Sequence, residues 1–204
     1  MITILKLRDL LAHLSKKGMG QVFADWRMLV GFTATSEVEA IQIGNNAEEA
    51  AEQIDAKHLV VKTQVEKGTG GLGPIYFALP NAFVVEALAG ILEIPEDTRA
   101  AKASEGFTEE DLEAFQEIAN LLCASWNRVL DDLGPDLRVS QSADHLKVLV
   151  GDADGGALGA CVEEGRVAFV TLKVGCAGKE HTVLLLIPLE AAIGLAEEFY
   201  RTAA

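Results

Sequence analysis

Twice in this chain a short β-rich run ends in proline and passes straight into an apolar helical stretch. Ile75-Tyr76-Phe77-Ala78-Leu79-Pro80 does so first, and Val183-Leu184-Leu185-Leu186-Ile187-Pro188 repeats it about 108 residues later. Proline cannot donate to a sheet ladder, but its fixed φ suits the start of a helix, so each run reads as a strand that hands over to a helix. A second echo, Ala24-Asp25-Trp26 against Ala124-Ser125-Trp126, recurs at an offset of 100. Fixed offsets of this kind favour an ancient duplication. The predicted class is α/β (α+β): two pseudo-repeated helix-strand-strand-strand-helix halves forming a mostly antiparallel sheet covered by long helices. The expected organisation is one domain over residues 1–204, with halves near 1–93 and 107–204 and a link at 94–106.

Hydrophobic periodicity fills in the elements. Leu7, Leu10, Leu11 and Leu14, followed by Phe23, Trp26 and Val30, predict a first helix from about Leu5 to Val30. Gly18 and Gly20 weaken its middle, since each glycine costs a helix about 1 kcal/mol, and a break is expected there. Val38–Ile43, Leu59–Val65 and Ile75–Leu79 read as strands, with an Ala/Glu-rich, potentially helical stretch between the first two. Asn81 is the expected N-cap of the next helix, which runs to about Leu92. In the second half a helix from Thr108 to Leu133 precedes strands near Leu137–Ser140, Leu146–Val150, Val167–Val174 and Val183–Ile187, and a helix from Pro188 to about Arg201 ends the series.

Several function classes fall away on composition and spacing. A net charge of -14 repels a phosphate backbone, and no Lys/Arg cluster with interleaved aromatics offsets it, so nucleic acid is not an expected partner. No apolar run reaches the roughly 18 to 20 residues a bilayer-spanning helix requires, and Met1–Arg8 lacks the pattern of an export signal, so a cytoplasmic location is expected. Cys123, Cys161 and Cys176 lie far apart, with no histidine at zinc-finger spacing, and His13, His58, His145 and His181 stand singly. Gly68-Thr69-Gly70-Gly71-Leu72-Gly73 matches a dinucleotide-binding string, but Pro74 and a strand follow it instead of a helix, which makes it a hairpin loop. Asp152-Ala153-Asp154-Gly155-Gly156 lacks the further oxygen ligands of a calcium loop and reads as a solvated turn.

The Thr108–Leu133 helix carries the most informative pattern. Thr108 caps it, and Glu109, Glu110 and Asp111 sit in the first turn, where the helix dipole favours negative charge. At about 100° per residue, Leu112, Phe115, Ala119, Leu122, Trp126, Val129 and Leu133 form one stripe, which is core. The opposite face collects Glu113, Glu117, Asn120, Ala124, Asn127 and Asp131, and Glu117 and Asn120, three residues apart, project side by side. Two asparagines on such a face are unusual, because Asn is a poor helix former and gains nothing there from packing.

Glu117-Ile118-Ala119-Asn120 within a long helix, followed by strands and a closing strand-Pro-helix segment, resembles the E-x-x-N signature of the bacterial CheC/CheX/FliY chemotaxis phosphatases. The resemblance implies hydrolysis of the phosphoaspartate of a CheY-like response regulator. Glu117 would pair with the regulator's active-site lysine and Asn120 would hold the attacking water, with Glu113, Ala124 and Asn127 in the partner-binding face. It implies no cofactor of the chain's own, since Mg2+ would be held by the phosphorylated receiver domain. The chain departs from the family pattern in having Glu113 where Asp or Ser is usual, and Ala143 where a proline is expected. The Trp-anchored alignment of the halves puts Lys17 and Gly20 where Glu and Asn would stand, which leaves one site, as in CheX-like members. The rival readings are a non-catalytic signalling or scaffold module of the same fold, and a self-associating structural protein; a homodimer stays open.

Overall fold

The computed structural model describes residues 2–45, 57–134, 136–141, 147–151 and 165–202. The Ala/Glu-rich stretch after the first strand, Ala143, His145, the Asp152–Gly156 turn and Cys161 lie outside the described residues. In chain order the elements are α1 (Ile4–Val30), β1 (Ala34–Gly44), β2 (His58–Lys67), β3 (Gly70–Pro80), α2 (Asn81–Leu92), α3 (Arg99–Glu105), α4 (Glu109–Asp131), β4 (Leu137–Val139), β5 (Lys147–Gly151), β6 (Val167–Cys176), β7 (Lys179–Pro188) and α5 (Leu189–Thr202).

Among the described residues every strand pairing is antiparallel, in the order β1-β6-β7-β3-β2, with β4 and β5 both pairing along β2. The two halves exchange their first strands. The first-half strand β1 lies on β6, while the second-half strands β4 and β5 lie on β2. At the centre, β3 pairs with β7, and Phe77 stands opposite Leu185. These are equivalent positions of the two repeats, so the pseudo-twofold axis passes between them.

The helices cover one face of this sheet. Leu59, Val61, Ile75, Phe77 and Leu79 from the first half, with Val170, Leu172, Val183, Leu185 and Ile187 from the second, form one apolar core with α1, α2, α4 and α5. The alternate residues Val60, Tyr76, Phe169, Leu184 and Leu186 are buried as well. Burial on both faces explains why the central strands read as unbroken apolar runs and not as alternating ones.

Three expectations need correction: the break in α1, the cap at Asn81 and the loop over Gly68–Gly73. Helix α1 runs unbroken through Gly18 and Gly20. A Cβ at Gly18 would come within 2.5 Å of Cε2 of Trp126, so the glycine admits the indole of α4, and that packing offsets its poor helix propensity. Asn81 is not a cap: it is the first residue of α2, the N-cap position is Pro80, and the Asn81 amide donates instead to the Ala103 carbonyl at 3.2 Å. The link at 94–106 is itself structured, with a helical turn at Glu96–Thr98 followed by α3. The glycine-rich segment is largely strand, since β3 begins at Gly70. Within it, Gly73 has φ 142 and a Cβ there would lie 2.6 Å from that of Ala191, so only glycine allows α5 to approach β3 so closely.

Candidate functional site

Helix α4 starts as its sequence requires. The Thr108 hydroxyl accepts from the Asp111 N–H while the Asp111 carboxylate accepts from the Thr108 N–H, completing a capping box. Lys102 of α3 adds an ion pair to Asp111 at 2.7 Å. Burial opposes ionisation of Asp111, but the hydrogen bonds from Lys102 and Thr108 prevail and hold its pKa below the usual carboxylate value.

The expected core stripe is buried from Phe115 to Leu133, with Leu112 half-buried, and Ile118, Cys123, Ser125 and Leu130 widen it. On the other side Glu113 and Glu117 are exposed, and Asn120, Ala124 and Asn127 are half-buried. Glu117, Asn120 and Ala124 all line one groove of about 350 Å3, whose other walls are Trp26 of α1, Ile91 of α2, Ile118, Leu121 and Gln141. Ile91 is 42% exposed. The groove is therefore mostly apolar, with the Glu117 carboxylate and the Asn120 and Gln141 carboxamides as its polar groups. A carboxamide in such a place can orient a water by donating and accepting together, and the carboxylate can receive a partner's cation.

Asn127, expected on the partner-binding face, is engaged within the chain. Its Nδ2 donates to the Val139 carbonyl at 3.0 Å and its Oδ1 accepts from the Val139 N–H. This two-bond clasp holds β4 to α4, which gives the second asparagine of the face a structural use. Gln141 was not anticipated. It follows β4, and its Nε2 donates to the Asn120 carbonyl at 2.9 Å. No sequence signal marks it, since its place beside Asn120 depends on how β4 docks.

The first half presents no copy of this arrangement among the described residues. Lys17 pairs with Asp132 at 3.6 Å, and Gly20 is exposed with no side chain to offer. Asp25 of α1 accepts from its equivalent in the second half, Ser125, at 2.6 Å and from Arg128 at 2.8 Å, which ties α1 to α4.

Among the described residues both thiols are buried: burial raises Cys123 to about 11, and burial with the nearby Glu86 raises Cys176 to about 11, which keeps both protonated. Among the described residues no group of three His, Cys, Asp or Glu side chains is arranged to hold a metal ion, and no helix is long and apolar enough to cross a membrane.

No family profile and no curated protein sequence matches the chain. Solved structures do. FliY from Thermotoga maritima superposes with a TM-score of 0.78 at 17% identity, over 98% of this chain and 99% of that one. The chain has the CheC/CheX/FliY fold. In a FliG–FliM complex from H. pylori, the matching chain gives a TM-score of 0.68 at 10% identity, over 95% of this chain and 100% of its own. The chemotaxis protein CheX from Desulfovibrio desulfuricans gives 0.52 at 11% identity, over 86% and 99%. FliY, FliM and CheX structures thus stand together among the structural neighbours of this chain.

Proposed function

We propose that this chain is a CheX-like phosphatase, acting in the cytoplasm on the phosphoaspartate of a CheY-like receiver domain. The observation that carries this reading is the meeting of Glu117 and Asn120 on the open face of α4, at the rim of an apolar groove. Phosphoryl transfer to water demands positioning and charge stabilisation more than covalent chemistry. Asn120 places the attacking water, Glu117 takes the receiver's lysine, and Ile91 with Leu121 receives an apolar side chain of the docked receiver. Glu113 and Ala124 border the same contact. The Mg2+ that such a receiver uses stays in the receiver.

A second reading is favoured by one comparison: a FliM chain of this fold was solved in complex with FliG. On that reading the chain is a binding or scaffold module that engages a receiver or a second copy of itself without hydrolysis. The two separate in a titration with a receiver trapped by beryllofluoride, run beside the phosphorylated receiver. The phosphatase reading predicts binding of the trapped form, turnover of the phosphorylated one, and at least about tenfold weaker binding for Ile91→Asp, which places a charge in an apolar contact. Stable binding without turnover supports the module; no binding to any receiver contradicts both receiver readings.

A further inference from the structure

We propose that Gln141 is a positioning residue for Asn120, an inference that rests on the phosphatase reading above. Three consecutive residues after the start of β4 are each fixed from a different direction. Val139 is clasped by Asn127 of α4. Ser140 donates its N–H to the Gln64 carbonyl at 2.8 Å and accepts from the Thr63 hydroxyl at 2.9 Å, both on β2. Gln141 then reaches back to α4 and donates to the Asn120 carbonyl at 2.9 Å. Thr63 also accepts from the Cys123 thiol of α4 at 3.7 Å, so sheet, β4 and α4 are joined in one network that ends on the peptide carrying Asn120.

This last bond makes poor sense as a stabilising device. Gln141 is exposed, and a bond in water returns little against the rotamer freedom a glutamine gives up to form it. The Asn120 carbonyl lies inside a helix, where backbone hydrogen bonding already employs it, and a second donor uses its other lone pair. The effect of the bond is geometric. It braces the α4 backbone at the one residue whose carboxamide must hold a water in register, and it does so from a residue that lines the same groove. A brace of this kind acts on orientation in the transition state, not on docking.

Steady-state dephosphorylation of a phosphorylated receiver by the full chain tests this, with wild type, Gln141→Ala, Gln141→Glu and Gln141→Lys compared, and Tm measured for each. The glutamate variant keeps the length of the side chain but replaces the donor with a charged acceptor, while the lysine variant keeps a donor. The expected result is a kcat lowered about tenfold in the alanine and glutamate variants, with KM within about twofold of wild type and Tm unchanged, and recovery of most of kcat with lysine. Wild-type kcat in both donor-less variants, or an effect confined to KM, overturns the role given to Gln141 and leaves the phosphatase reading standing. Absence of turnover in the wild type overturns that reading and this inference with it.

Discussion

His181 is buried against the Phe83 ring, with centroids 5.7 Å apart, and its Nε2 finds no hydrogen-bond partner among the described residues. Burial lowers its pKa below 6.5, and the nearby Lys179 adds to this while Glu86 opposes it. The unfolded chain therefore binds this proton more readily than the folded one. The stability tied to the neutral ring is complete above the ordinary histidine pKa of about 6.5 and is lost as pH falls through the lower folded value. Unfolding free energy should fall as pH drops below about 6.5, above the range in which Asp111 contributes, and His181→Asn should flatten that part of the profile. An unchanged profile in the variant would assign the slope to other groups. Legibility at this scale is uneven. Helical phase alone put Glu117 and Asn120 on one face, because neighbours at i and i+3 need no tertiary information. The same argument put Asn127 beside them and could not reveal that β4 docks there and occupies its amide. Trp26, Ile91 and Gln141 complete the groove from three distant parts of the chain, so no local pattern pointed to them.

Glycine shows how an element can contradict its own propensities. Gly18 and Gly20 look alike in the sequence, and both argue for a break in α1, but they stand in opposite surroundings. A Cβ at Gly18 meets the Trp126 ring at 2.5 Å, whereas one at Gly20 meets nothing within 4 Å. Gly20→Ala should stabilise the protein by up to about 1 kcal/mol, the ordinary gain for alanine over glycine in a helix. Gly18→Ala should destabilise it by about 1 to 3 kcal/mol despite the same intrinsic gain, because the ring must move within a filled core. Denaturant unfolding of the two variants measures both; equal stabilisation would mean that Trp126 does not depend on Gly18. Elements whose signals were local came through well: the Thr108 cap with its acidic first turn, and the strand-Pro-helix junctions at Pro80 and Pro188. Asn81 departs from its expected role because an asparagine beside a helix start is a cap signal in isolation, whereas here α3 supplies a carbonyl that takes its amide.

On the scale of the whole molecule, the repeated segments announced two halves but not how they interlock. Strand exchange is a matter of register and partner, and nothing in β1 taken alone says that it lies on β6 instead of β2. Its consequence is cooperativity. Neither half can complete its sheet without a strand of the other, and the equivalent residues Phe77 and Leu185 meet at the centre. Equilibrium unfolding should show a single transition with coincident far- and near-ultraviolet circular dichroism. Residues 1–93 and 107–204 produced separately should fold only when mixed, and a folded monomer of either one would contradict the interlocked account. The same interlocking lets α1 and α2 wall a groove against α4, so the candidate site is a property of the assembled fold and not of the motif helix. The account is tested most directly by the rate of acyl-phosphate loss from a phosphorylated receiver domain, with wild type and Asn120→Ala in parallel. It predicts acceleration by the wild type and a loss of about a hundredfold or more of that acceleration in the variant, with binding retained; equal acceleration by both proteins would contradict the role given to Asn120.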